Sequence, residues 1–221
     1  MAPTYFCRFP GSHSDGHRGS ALTPMPDLTD SEQQTKVSLR TAALAKRDAL
    51  PAAERQAAAE RIAARGLPVE VMPGTIVSGF MPMKTEVNPL PLLRKLADAG
   101  AQLALPAIAG RGKPLIMRAW MFGGPLNAGQ WGIREPTAEA PEVAPDILIV
   151  PLAAFDRAGH RIGYGAGYYD MTINALRAKK KVAAIGIGFA AQEIPRVPAT
   201  ERDARLDLVL TEREVIDLRS A

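Results

Sequence analysis

Between residues 161 and 170 the chain reads RIGYGAGYYD, with glycines at alternate positions followed by two tyrosines and a carboxylate. The stretch lies between an apolar strand pattern and an amphipathic helical one. At such a junction the first turn of a helix offers unpaired N–H groups and a partial positive charge to an anion. Glycines there let the backbone approach closely and take positive φ. The spacing G-x-G-x-G meets neither standard phosphate motif. A dinucleotide fingerprint needs its third glycine where Tyr168 stands, and a Walker loop needs Gly-Lys-Ser/Thr. A tight turn explains the glycines but not the tyrosines, the leading Arg161 or the trailing Asp170, so the segment reads as a phosphate cradle.

Asp170 extends that reading. A carboxylate beside a phosphate repels it unless a divalent ion lies between, and Mg²⁺ is typically held by one or two carboxylates plus phosphate oxygens and water. Taken alone, Asp170 is an acid in a first helical turn, where it favours the macrodipole; in this company it reads as a magnesium ligand. The loop has no lysine, but Lys36, Arg40 and Arg47 stand at i, i+4 and i+11 and share a narrow arc of one helix. A solvated charged face is the default for such a stripe; here it reads as the missing phosphate-binding charge. In FMPMKTEVNPLPLL (80–93), Glu86 either accepts N–H groups of a heterocycle or caps the next helix, and the residue alone does not choose. Trp131, in the Gly/Pro loop QWGIREP, is placed to stack on a ligand.

These residues need a scaffold. The 221 residues are 47% hydrophobic, with no apolar run near the ~20 residues of a membrane helix. Residues 1–34, rich in Gly, Pro and Ser, read as a disordered tail before a single domain at 35–221. They match neither a secretory signal nor a mitochondrial presequence, so the cytoplasm is expected, and Met25 is an alternative start. The domain carries 25 basic against 19 acidic residues. With 5% aromatics and no Lys/Arg block, that charge suits a small anion better than nucleic acid. Cys7, His13 and His17 lie in the tail, leaving His160 as the domain's one imidazole. Disulfides, cysteine-bound metals and Cys/His dyads are thereby excluded from the domain.

Helical patterns begin at Lys36 and at Pro51, the second closed by Gly66, and PLLRKLADAG (91–100) is a short helix. Strand patterns cover GTIVSGFMPM (74–83), AQLALPAI (101–108), LIMRAWMF (115–122), APDILIVPLAAF (144–155), VAAIGIGF (182–189) and, last, LDLVLT (206–211). A helix follows the glycines to about Lys179. Strands alternate with helices and are apolar throughout, as in a sheet covered on both faces.

From Lys36 to Leu210 the chain resembles the 5-formyltetrahydrofolate cyclo-ligase (5,10-methenyltetrahydrofolate synthetase) family. The resemblance rests on GYGAGYYD (163–170) preceded by VPLAAFDRAGHRI, with K-x-x-L-R at Lys36–Arg40, P-x-x-x-E-V at Pro82–Val87, W-G-I-x-E-P at 131–136 and ERDARLDLVL. It implies a three-layer, Rossmann-like, mostly parallel sheet with helices on both faces. It implies Lys36, Arg40 and Tyr168 as catalytic residues, with ATP contacted by Lys36, Arg40 and the loop Arg161, Ile162, Gly163, Tyr164, Gly165, Ala166, Gly167, Tyr168 and Tyr169. Met81, Glu86, Trp131, Tyr164 and Tyr168 would hold the folate, and Asp170 and Asp203 Mg²⁺. Some members have a lysine where this chain has Ala166, and an aspartate is frequent where it has Asn88. The implied reaction converts 5-formyltetrahydrofolate to 5,10-methenyltetrahydrofolate with ATP, in a monomer or homodimer that binds only small molecules and no membrane. Two other classes compete: a non-catalytic nucleotide- or folate-binding module, and a nicotinamide oxidoreductase. The latter would need a G-x-G-x-x-G unit and a strand-end acid, and neither is found.

Overall fold

The computed structural model describes residues 30–219, so Cys7, His13, His17 and Met25 lie outside the described residues. Helix α1 spans Asp30–Asp48 and α2 Ala52–Arg65; strand β1 covers Ile76–Ser78, α3 Leu90–Asp98, β2 Gln102–Ala107 and β3 Ile116–Trp120. Then come β4 (Leu126–Ala128), β5 (Arg134–Pro136), β6 (Ile147–Pro151), β7 (Ala154–Phe155), β8 (Arg161–Ile162), α4 (Tyr168–Arg177), β9 (Ala183–Ile187), β10 (Leu208–Leu210) and β11 (Val215–Asp217). The helix expected from Lys36 starts six residues earlier, because residues 30–35 lack the apolar periodicity that a sequence reading relies on. Gly66 closes α2 at φ 77°.

Seven strands form one sheet in the order β11-β10-β9-β6-β1-β2-β3. The inner five run parallel, and β3 and β11 pair antiparallel at the two edges. LDLVLT is therefore not the last strand. The polar surroundings of VID hide β11, whose pairing with β10 is a local antiparallel hairpin rather than an apolar run. Two further hairpins, β4–β5 and β7–β8, also escape the pattern because their strands have only two or three residues.

The continuous apolarity of the strands follows from two covered faces. Ile147 and Ile149 face α2 and α3, where Ile62, Leu92, Leu93 and Leu96 complete one core. Leu148 and Val150 face the opposite way, onto Ile173 of α4, Leu206 and Ile216. From β1 the chain winds through α3 to β2 on one side, and from β6 through α4 to β9 on the other. The strand order therefore reverses between β1 and β6, and ligands of open α/β sheets bind beyond the C-terminal strand ends at such a point. No described helix is long and apolar enough to cross a membrane.

β1 leaves the sheet at Gly79, where an added Cβ would come within 2.3 Å of Leu93 Cδ1. Leu93 is fully buried and has nowhere to move. Gly79→Val is expected to cost about 1–3 kcal/mol of stability through overpacking, read from denaturant unfolding; an unchanged midpoint would contradict this packing.

Candidate active site

The glycine loop joins β8 to α4. Arg161 and Ile162 at its entry are buried, whereas Tyr164, Gly165, Ala166 and Gly167 are exposed and Gly163 is partly so. Ile162 borders the site, but its side chain packs with Ala43, Ala154, Ile194 and Val197 and serves the core. Gly165 at φ 103° and Gly167 at φ 67° take conformations that disfavour any side chain. Gly167 precedes the first turn of α4, whose amides lack intrahelical partners. Gly165 and Gly167 thus serve a left-handed path that leaves the backbone open.

That loop is the shared wall of two hollows. One, of about 230 Å³, is polar and is bordered by Lys36, Arg40, Arg161, Gly163, Gly165, Gly167, Asp170, Thr200, Arg202 and Asp203. The other, of about 320 Å³, is mostly apolar. Phe80 and Met81 reach it from the end of β1, Ile108 from beyond β2 and Pro151 from the end of β6. Met83, Glu86, Leu115, Ile133, Glu135, Tyr164, Ala166, Tyr168 and Tyr169 complete it. This is the crevice expected at the reversal of strand order. Trp131 lies in the 3-10 turn Gln130–Gly132, and its side chain lies outside the described residues.

The basic stripe of α1 faces the loop, but its three cations do different work. Lys36 Nζ meets Asp203 Oδ2 at 2.8 Å. Arg40 Nε donates to the Gly163 carbonyl at 2.7 Å and so anchors the loop directly. Arg47, expected to supply phosphate-binding charge, is buried and donates to the Tyr164 hydroxyl at 2.6 Å. Tyr164 in turn bonds to Glu86. Tyr164 is 42% exposed overall, but its hydroxyl end is desolvated where it meets Arg47, which raises its pKa, and the Glu86 charge raises it further. Glu86 Oε2 also accepts the Met83 amide at 2.8 Å, closing a turn in which Lys84 holds a positive φ of 51°. Thr85 reaches back to Asp48 at the end of α1. A non-glycine residue at positive φ costs of order 1 kcal/mol and persists only when its surroundings impose it. Here those surroundings are α1 and the carboxylate that faces the apolar hollow.

Both expected magnesium acids border the polar hollow, and each is engaged by a cation. Asp170 Oδ1 accepts Arg161 Nη2 at 2.8 Å and the Ala204 amide at 3.0 Å. Arg161 Nη1 donates to the Ala204 carbonyl at 2.6 Å. Arg161, expected as a phosphate contact, is thus committed to holding the loop. Burial alone would raise the Asp203 pKa, but the Lys36 ammonium and the Thr200 amide hold the carboxyl below its usual range. Among the described residues no three acids, histidines or cysteines gather into a metal cage. Two carboxylates, each with one oxygen already bonded, suit an ion that arrives on a phosphate and keeps water ligands. His160 lies 3.7 Å from Asp156 beside a different surface hollow and borders neither of these two. The polar residues that sequence reasoning missed include Thr200, Arg202 and Glu135; Glu135 stood inside the quoted W-G-I-x-E-P motif, overshadowed by its tryptophan.

Burial raises the Glu86 pKa, only partly opposed by Tyr164, Met83 and Arg47. The folded state therefore binds this proton more tightly than the unfolded chain does. Its contribution to stability is full at low pH and is lost as pH rises from about 4.5 through the raised folded value. Glu86→Gln should flatten that decline, as measured by unfolding from about pH 4 to about pH 8; an unaltered slope would mean that Glu86 is not its source.

Residues 32–212 match the model of the 5-formyltetrahydrofolate cyclo-ligase family. The chain is 33% identical over 197 residues to the 5-formyltetrahydrofolate cyclo-ligase of Mycolicibacterium smegmatis, a match covering 84% of this chain and 98% of the relative. It is 31% identical over 180 residues to the Escherichia coli protein of that name, covering 77% and 96%. Among solved structures it resembles Aquifex aeolicus 5,10-methenyltetrahydrofolate synthetase, with a TM-score of 0.68 and 29% identity over 84% of this chain and 94% of that one. The matched span contains both hollows and the loop between them, and on that ground this chain belongs to the 5-formyltetrahydrofolate cyclo-ligase family.

Proposed function

We propose that this protein converts 5-formyltetrahydrofolate to 5,10-methenyltetrahydrofolate, consuming ATP and releasing ADP and phosphate. The observation that carries the reading is the single exposed glycine loop walling both a cation-lined polar hollow and an apolar hollow with carboxylates. A triphosphate on one side and a reduced pterin on the other would meet across one strip of backbone.

The chemistry follows from that adjacency. The formyl oxygen attacks the γ-phosphorus, the bond to the β-phosphate oxygen breaks, and ADP leaves. N10 then adds its electron pair to the activated formyl carbon and loses its proton. The carbon–oxygen bond breaks to release phosphate, which leaves the methenyl bridge. Neither step needs a covalent nucleophile. Phosphoryl transfer depends mainly on positioning and charge neutralisation, in keeping with two hollows that no histidine borders among the described residues. Lys36, Arg40 and the amides of Gly163 to Gly167 receive the phosphates. Tyr168 opens α4 at the boundary of the hollows and orients the transferring group. Met81, Tyr164 and Trp131 hold the pterin, with Glu86 accepting its N–H groups. Asp170 and Asp203 are the residues that would hold Mg²⁺, which when bound neutralises phosphate charge. A non-catalytic binding module would share the same two hollows but would not turn over.

Formation of the methenyl product, followed by its ultraviolet absorbance, should require both 5-formyltetrahydrofolate and ATP and match ADP release; folate binding without conversion would favour the binding module. Lys36→Met should raise KM for ATP about tenfold or more, the loss expected of a charged hydrogen bond. KM for the folate should stay within about twofold in that variant. Equal rises in both would remove Lys36 from the nucleotide side.

A further inference from the structure

The apolar hollow contains two polar atoms that the described residues leave unsatisfied. Glu135 Oε1 and the Tyr169 hydroxyl are buried with no hydrogen-bond partner among those residues, and both side chains border the hollow. Native structures rarely leave such atoms alone, because burial without a partner forfeits the hydrogen bonds that water would make.

The neighbouring chain makes room for this carboxylate. Glu135 sits in β5 across from Asn127 of β4, and Gly129 follows directly after β4. A Cβ at position 129 would lie 2.4 Å from Glu135 Cδ and 2.5 Å from its Oε1. Gly129 has φ −85° and ψ −163°, which any residue can adopt. Backbone conformation therefore does not require a glycine there, whereas the space occupied by the Glu135 side chain does. Glu86 and Asp170 are the hollow's other carboxylates, and Asp170 is already engaged by Arg161 and the Ala204 amide. Two acceptors set among Phe80, Met81, Ile108 and Ile133 complement a flat ring that buries its faces and points N–H groups outward.

We infer that Glu135 is a second substrate-recognition carboxylate, accepting a hydrogen bond from an N–H of the reduced pterin while Glu86 accepts another. This rests on the folate reading of the apolar hollow. A site built around a buried acceptor discriminates against ligands that cannot satisfy it, so the pair would select pterins by their N–H pattern as well as by shape. The cost of an unpartnered carboxylate in the free protein is the kind of local destabilisation that binding sites retain for function.

The test uses the full chain with Glu135→Gln, Glu135→Ala and Gly129→Ala, the last of which keeps the carboxylate but displaces it. All three should raise KM for 5-formyltetrahydrofolate about tenfold or more while leaving KM for ATP near wild type. Glu135→Ala, freed of an unpartnered buried oxygen, should unfold at the wild-type temperature or above it, and Glu135→Gln, which keeps the shape, close to it. The rise in unfolding temperature that 5-formyltetrahydrofolate alone produces in the wild type should largely vanish in all three. A ligand-free protein that melts earlier, with both KM values rising together, would make Glu135 a structural residue and overturn the assignment. So would a wild-type thermal response to the folate in the Glu135 variants. If the wild type binds the folate but never turns over, the proposed reaction fails, while the folate-induced shift still decides Glu135.

Discussion

The Arg161 guanidinium sits at 3% exposure at the entry to the glycine loop, and Asp170 meets it from the first turn of α4. A buried cation deprived of its partner is strongly destabilising, so these two residues tie together the ends of the segment between them. Ala204 closes the arrangement by giving its carbonyl to Arg161 and its amide to Asp170. The loop is thus clamped at both ends and exposed in the middle. A backbone that must present N–H groups to a ligand needs to be rigid without being covered, because ordering a mobile loop at the moment of binding would cost about 1–2 kcal/mol per residue.

Helix α1 supplies the second constraint. Its side chains bond to three of the segments that border the site. Lys36 reaches Asp203, Arg40 the Gly163 carbonyl, Arg47 the Tyr164 hydroxyl, and Asp48 accepts from Thr85. The Arg47–Tyr164–Glu86 chain links the glycine loop to the carboxylate of the apolar hollow. Displacement of either group would strand a buried charge or hydroxyl, so the two hollows are held in fixed relation. The charges of the polar hollow are paired in the same way, Lys36 with Asp203 and Arg161 with Asp170. Beyond these two pairs that hollow is bordered by the open backbone amides, Arg40 and Arg202.

Much of this was legible in the residues. Two buried faces force Ile147 through Val150 to be apolar without a break, and such a run announces a parallel inner strand. Gly165 and Gly167 occur where only glycine is comfortable, and the i, i+4, i+11 spacing of Lys36, Arg40 and Arg47 places all three on the helix face that meets the loop. These features are local: each depends on backbone sterics or on one period of a helix or strand.

What folding alone decided is which partner each charge would find. Arg161 and Asp170 read as phosphate and metal contacts because their types permit it, yet they bond to one another across the loop. Arg47 looks like its two neighbours in the stripe but lies deep enough to need a hydroxyl rather than a solvated anion. The short strands β4, β5 and β11 have too few residues for a period to register, and each exists through hairpin hydrogen bonds to a neighbouring strand rather than through an apolar run. Glu135 is the sharpest case, since a glutamate in a loop motif is ordinarily solvated; its place in the β4–β5 hairpin and the space left at Gly129 are what isolate its oxygen. Periodicity and steric preference are written residue by residue, whereas burial and charge pairing arise only when distant segments meet.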